Sequence, residues 1–186
     1  MTETLDCPRR VTGLKGFLHS EEGERLAYLA SQVPADQAIV EIGSYTGKSS
    51  CFLAYGAERG NGVTVHCVDL WDLGSQPNAH KYATATVLET FTARTAKLNV
   101  CPHKASSADA AAAWTGPAVG LLFIDGMHTY EGVMADIGAW LPHMAPDGLV
   151  TFHDYGDQFP GVIKAVDEWA GDREIRVYDR IAEVGL

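Results

Sequence analysis

What most constrains this chain is an alternation: short continuous apolar runs, each followed by a stretch whose apolar positions recur at helical spacing. The runs AIVEIG at 38–43, VTVHCVDLW at 63–71, CPHKAS at 101–106, VGLLFID at 119–125 and GLVTFHDY at 148–155 predict strands, with CPHKAS the weakest and VGLLFID the strongest. Between them, 47–57, 80–98 (Val87, Leu88, Phe91, Leu98), 108–114, a stripe of Val133, Ile137, Trp140, Leu141 and Met144, and a stripe of Val162, Ile163, Val166 and Trp169 predict helices. An earlier helix is announced by Ser20 as N-cap, Glu21 and Glu22 in its first turn, and Pro34 at its end. The closing segment EIRVYDRIAEVGL reads as two short strands reversing near Asp179 and Arg180.

Strands alternating with helices require a parallel sheet covered on both faces and joined by right-handed crossovers. The expected fold is a Rossmann-like, doubly wound α/β sheet of seven strands, mostly parallel, with an antiparallel C-terminal hairpin strand. No low-complexity tract or linker divides the chain, so 1–186 is read as one domain, with 1–19 as an N-terminal extension.

Charge narrows the partners. Fourteen Lys and Arg against 24 Asp and Glu give a net charge of −10, which opposes a grip on nucleic acid or on an anionic membrane surface. No apolar run reaches the length of a membrane span, and the first residues lack a secretory apolar core, so a cytoplasmic location is expected. Cys7, Cys51, Cys67 and Cys101 form no C-x-x-C pair and are read as free thiols.

In sheets of this kind ligands bind beyond the carboxyl ends of the strands. Those ends carry Glu41, Gly43, Ser44, Tyr45 and Gly47, then Asp69, Leu70 and Trp71, then Ser106 and Ser107, then Asp125 and His128, then His153, Asp154 and Tyr155. A turn holding Gly43 and Gly47 lets backbone approach a ligand, and the helix after it presents unpaired N–H groups. Asp69, at the end of the next strand, can accept hydrogen bonds from ribose hydroxyls. GSYTGKS has only three residues between its glycines, one fewer than a phosphate-binding P-loop needs, and Tyr45 stands where a dinucleotide fingerprint needs glycine. Glu41 before the turn favours a cofactor with an ammonium group over a phosphate.

The run VEIGSYTGKSS resembles motif I of class I S-adenosylmethionine-dependent methyltransferases, in the form found in catechol O-methyltransferase and its relatives. Through FIDGMHTYEGVMADIGAWLPHMAPDGLVTFHDY the resemblance extends to small sugar and natural-product enzymes of the macrocin O-methyltransferase group. It implies an S-adenosylmethionine-dependent O-methyltransferase acting on a hydroxyl of a sugar-like, phenolic or natural-product acceptor, either a small molecule or a glycan. By the same resemblance Glu41, Gly43, Ser44, Tyr45, Gly47 and Ser49 shape the methionine end, with Glu41 near its amino group. Asp69 takes the ribose, Leu70, Trp71, Ser106 and Ser107 lie by the adenine, and Asp125 stands between cofactor and chemistry.

Asp125, His153 and Asp154 match the three metal-ligand positions of the metal-dependent branch, where magnesium or another divalent metal would activate the acceptor hydroxyl. His153 departs from that pattern, because an acid is usual there and imidazole is a poor magnesium ligand. His128 matches the general-base position held by lysine in catechol-type enzymes. A metal-free route, with His128 or His153 paired to Asp154 as base, therefore stands beside the metal route. Lys48 is read as solvent-facing, His66 as structural, Trp71 and Trp114 as either adenine contacts or packing, and Tyr155, Phe159 and Pro160 as acceptor lining. With little sequence left for a lid, a second subunit closing the pocket, or a large acceptor entering by its end, is expected. Two rivals remain: an inactive cofactor-binding module, and a nucleotide enzyme using GSYTGKS as a phosphate loop.

Overall fold

A computed structural model describes residues 3–72 and 84–186. Its centre is set by the two most apolar runs. Ala38–Ile42 (β1) and Val119–Ile124 (β4) are buried at every position and pair side by side in parallel. Val65–Asp69 (β2) and Val100–Lys104 (β3) extend the sheet on one side, and Met144–Phe152 (β5), Ile181–Gly185 (β7) and Ile175–Tyr178 (β6) on the other, giving the order β3-β2-β1-β4-β5-β7-β6. β7 runs antiparallel to both β5 and β6, and the remaining pairs are parallel. The expected seven-stranded mixed sheet is the one found. Pro102, which cannot donate to a ladder, stands in the edge strand β3, where it is tolerated.

Ser20–Gln32 (α2), Lys48–Arg59 (α3) and Thr84–Thr95 (α4) cover one face through Leu26, Ala30, Phe52 and Phe91. Ser107–Ala112 (α5), Tyr130–Trp140 (α6) and Pro160–Ala170 (α7) cover the other through Ala111, Ile137, Trp140 and Val166. α2 and α3 lie unusually close, since a Cβ on Gly56 would fall 1.9 Å from the Ala27 carbonyl oxygen. A short helix, Arg9–Thr12 (α1), belongs to the N-terminal segment, whose Cys7, Val11 and Leu18 are buried in the same core as α3. No helix among the described residues is long and apolar enough to cross a membrane.

Three local expectations shift. The cap of α2 is His19, not Ser20, and Glu22 accepts a hydrogen bond from the His19 backbone N–H at 2.6 Å. β5 begins at Met144, earlier than the sequence suggests, because the turn-like Pro146, Asp147 and Gly148 are absorbed as an irregularity where Val119 faces Met144 and Leu121 faces Leu149. Of the expected helix over 80–98, α4 accounts for Thr84–Thr95, and 80–83 lie outside the described residues.

Candidate functional site

The chain runs outward from β1 to β3 and returns to β4, so β1 and β4 flank the switch point where a crevice must open. Backbone hydrogen bonds stitch the strand ends in order: Gly43 N donates to Val68 O at 2.9 Å, Asp125 N to Ile42 O at 2.8 Å, and His153 N to Ile124 O at 3.0 Å. The three sequence motifs are thereby fixed in a row along one rim.

Gly43 has φ of +88°, and a Cβ there would lie 2.1 Å from the Asp125 carbonyl oxygen, so this contact between the first turn and the β4 end requires glycine. Gly47, at φ +82°, caps α3 and lies against Phe91. The non-glycine residues with positive φ among those described are Tyr45, Trp71, Asp154 and Asp179. The first three belong to the rim, and bulky residues in this region mark stored strain of the kind found at ligand sites.

Asp69 ties two of them down, accepting from Tyr45 N at 2.8 Å and Trp71 N at 2.6 Å. Trp71 is buried, packs on Phe91 at 4.7 Å and donates its indole N–H to Tyr45 O at 2.9 Å. It holds the turn from behind, whereas Leu70 beside it is exposed. Glu41 is also fully buried, accepts from the Ser50 hydroxyl, and is pushed above the usual carboxylate range by burial, with Ser49, Ser50, Ser44 and Cys67 partly offsetting this. Glu41 Oε1 and Ser44 Oγ are buried with no hydrogen-bond partner of their own. Such groups are costly without one, so the turn has polar capacity to spare. Ser106 caps α5 through Asp109 N at 3.1 Å, and Ser107 Oγ accepts from Trp140 Nε1 at 3.1 Å, so both hydroxyls serve the fold.

Beyond Asp125 the rim becomes ionic. His153 is almost wholly buried, with Nδ1 3.1 Å from Asp125 Oδ1 and 3.5 Å from Asp154 Oδ2, and Nε2 3.3 Å from Glu22 Oε2. Arg180 adds a second cation, 3.1 Å from Glu22 Oε1 and 2.9 Å from Asp154 Oδ1. Burial works against a charged imidazole, yet Asp125 above all, then Asp154 and Glu22, push His153 up to about 12. Glu22, despite burial, is drawn down to about 2 by His153, the His19 N–H and Arg180, and Asp154 is held well below its ordinary range by His128 and His153.

His128 Nε2 lies 3.1 Å from Asp154 Oδ2 and 3.6 Å from Asp125 Oδ1, and its ring faces Phe159 at 4.6 Å. Asp125, then Asp154, raise it to about 9 against the effect of burial. Of the expected metal set of Asp125, His153 and Asp154, His153 has both ring nitrogens facing carboxylates, Nδ1 toward Asp125 and Nε2 toward Glu22. Asp125, His128 and Asp154 are the donors brought within 4.8 Å of one another.

Three participants went unnoticed in the sequence. Glu22 reads there as an ordinary first-turn acid and Arg180 as a hairpin residue, yet they lie 158 positions apart and meet on the rim. Lys48, expected to face solvent, donates to Leu18 O at 2.7 Å and fastens the N-terminal segment. Tyr155 turns away from the rim to donate to Asp167 at 2.6 Å, while Phe17 stands exposed against Tyr45 with ring centres 5.7 Å apart.

A family profile described as a methyltransferase domain matches residues 40–155. Among solved structures, the chain is similar to the O-methyltransferase NovP (17% identity, covering 90% of this chain and 80% of that one, TM-score 0.66). It is similar to TomG of Streptomyces achromogenes, an O-methyltransferase involved in tomaymycin synthesis and solved in complex with SAM (17% identity, 91% and 81% covered, TM-score 0.66). CalS11, a TDP-rhamnose 3'-O-methyltransferase of calicheamicin biosynthesis, aligns at 17% identity over 88% of this chain and 76% of that one, with a TM-score of 0.63.

Proposed function

Since the chain belongs to the methyltransferase domain family, we propose that it transfers a methyl group from S-adenosylmethionine to a hydroxyl of a sugar-like, phenolic or natural-product acceptor. The observation that carries this is the junction at Gly43, where a glycine-only contact joins a turn with unpartnered buried oxygens to the β4 end bearing Asp125. The cofactor fits that donor set. The Gly43–Gly47 turn and the N-terminus of α3 suit its methionine end, Asp69 its ribose, and the segment after β3 its adenine. When bound, it supplies an electrophilic methyl on a cationic sulfur.

The chain's part is alignment and removal of one proton. His128 Nε2 lies 3.1 Å from Asp154 Oδ2 in a geometry that makes no hydrogen bond, and the neutral ring between the two carboxylates is the group that takes the acceptor's proton in this reading. Formally, three carboxylates against His153 and Arg180 leave the cluster at −1 when His128 is neutral, a charge suited to a sulfonium nearby. Both ring nitrogens of His153 are engaged by carboxylates, which favours the metal-free route. Exposed Phe17 and Met127, with Phe159 against the base, form an apolar rim that suits the flat face of an aromatic ring or the hydrophobic side of a sugar.

Calorimetry with S-adenosylmethionine tests the cofactor site: one equivalent should bind, Asp69→Ala should weaken it at least about tenfold, and ATP should not compete. Turnover of labelled cofactor with hydroxyl acceptors should persist in EDTA. Binding without turnover on any acceptor would favour the inactive module, and activity lost in EDTA and restored by magnesium would overturn the metal-free reading.

The raised His128 also fixes a pH profile. Only about one molecule in a hundred carries it neutral at pH 7, two units below its value of about 9. kcat/KM should therefore rise with pH until about 9. A profile already flat at pH 7, or one unchanged by His128→Ala, would remove His128 as base.

A further inference from the structure

Away from the rim, the outer pair of strands gathers a second set of donors. The β2–β3 register sets His66 beside Cys101 and Val68 beside His103, so His66, Cys101 and His103 all point to the face covered by α5. His66 Nδ1 and His103 Nε2 are 3.0 Å apart, and one ligand atom from each of the three residues lies within 4.8 Å of the others. Trp114 stands edge-on to His66 at 4.7 Å and 6.3 Å from His103, roofing the cluster. None of these residues enters the reading of the rim, since His66 and Asp69 point to opposite faces of β2.

We propose that His66 Nδ1, His103 Nε2 and Cys101 Sγ form a binding site for a borderline divalent metal ion of the zinc class. Two imidazoles and a thiolate are the donors such ions prefer and magnesium does not. Two nitrogens bound at about 2.0–2.1 Å on a tetrahedral ion stand about 3.3 Å apart, close to the spacing these rings already hold. In the free protein the two rings share a hydrogen along the Nδ1···Nε2 line. On binding, that hydrogen moves to the outer nitrogen of its own ring, Cys101 releases its thiol proton to solvent, and the ion takes the place between them. Three protein ligands leave one position for water. All three residues are only half-buried, so the ion has a route in.

Cobalt(II), a visible stand-in for zinc, provides the test on the full chain. One equivalent should bind and give a near-ultraviolet thiolate-to-cobalt charge-transfer band, and zinc should displace it while magnesium does not. Cys101→Ser should abolish the band, and His66→Ala and His103→Ala should each weaken binding at least about tenfold. Asp154→Asn should leave band and stoichiometry intact, which separates this site from the rim donors. Cys101→Ser is nearly isosteric, and an unchanged far-ultraviolet circular dichroism spectrum shows that loss of the band is not loss of the fold. Saturating cobalt with no thiolate band, or binding in His66→Ala and His103→Ala equal to that of the parent chain, would reduce the cluster to two hydrogen-bonded histidines under a tryptophan. The outcome is independent of methyl transfer, because the band is read without cofactor or acceptor.

Discussion

Asp125→Asn is expected to lower kcat about 10²- to 10⁴-fold while changing S-adenosylmethionine affinity only a few-fold. Asp125 occupies the junction of the two halves of the site: its backbone carbonyl abuts Gly43, and its carboxylate faces His153 Nδ1 at 3.1 Å and His128 Nε2 at 3.6 Å. Asparagine keeps the shape and removes the charge. His128 then loses one of its two carboxylate partners, so its raised value should fall toward neutrality and the kcat/KM profile should shift to lower pH. The base becomes more available yet weaker and less firmly oriented, and orientation is what a triad carboxylate chiefly supplies. Single-turnover assays with labelled cofactor, alongside calorimetry, separate chemistry from binding. Turnover within tenfold of the parent chain would remove Asp125 from the mechanism, and an unmoved pH profile would show that His128 is not its partner.

The largest effect on stability should come from His153→Ala. This side chain is a buried cation between Glu22 on one side and Asp125 and Asp154 on the other, and its loss leaves Glu22, fully buried, with only the His19 N–H and the more exposed Arg180. Removing one member of a buried ion pair costs about 3–5 kcal/mol, which for a chain of this length corresponds to a Tm lower by on the order of 10 °C. The effect has a pH signature. Glu22 is lowered from 4.5 to about 2, so its contribution is complete above 4.5 and disappears as pH falls toward 2. His153 is raised from 6.5 to about 12, so its contribution is complete below 6.5 and fades as pH rises beyond that. The gap in Tm between parent and variant should thus be widest between pH 4.5 and 6.5 and narrow as pH falls toward 2. Removing both charges in Glu22→Gln with His153→Gln should recover part of the loss, as replacing a whole buried pair usually does. A Tm for His153→Ala within a few degrees of the parent at pH 6, or a gap independent of pH, would mean that the imidazole is neutral and the cage is not ionic.

Much of the architecture could be read locally. VGLLFI is apolar throughout and AIVEI is apolar but for Glu41, a pattern that strands buried on both faces require, and their spacing from the helical stripes dictates parallel crossovers. Once the sheet is parallel, residues just beyond each strand must share a rim, so Gly43, Asp69, Asp125 and His153 could be grouped without coordinates. Caps and strand ends were less legible. His19 in place of Ser20, and the early start of β5, depend on which neighbour satisfies a backbone group.

What the sequence alone determined is therefore the sheet, the rim and those of its residues that directly follow a strand, because hydrophobic period and strand direction are properties of contiguous segments. What the tertiary structure decided is the state of those residues. Trp71 became a buried brace, Lys48 a tether, and the two histidines beside Asp154 came to differ, one caged by carboxylates on both sides and the other, the base of the proposed reaction, raised to about 9. The reason is the short reach of electrostatics in a partly desolvated site: a proton's affinity is set by charges within a few ångströms. Here Asp125 and Asp154 act most strongly from neighbouring strand ends, and Glu22 and Arg180, delivered by a helix and a hairpin from opposite ends of the chain, complete the cage.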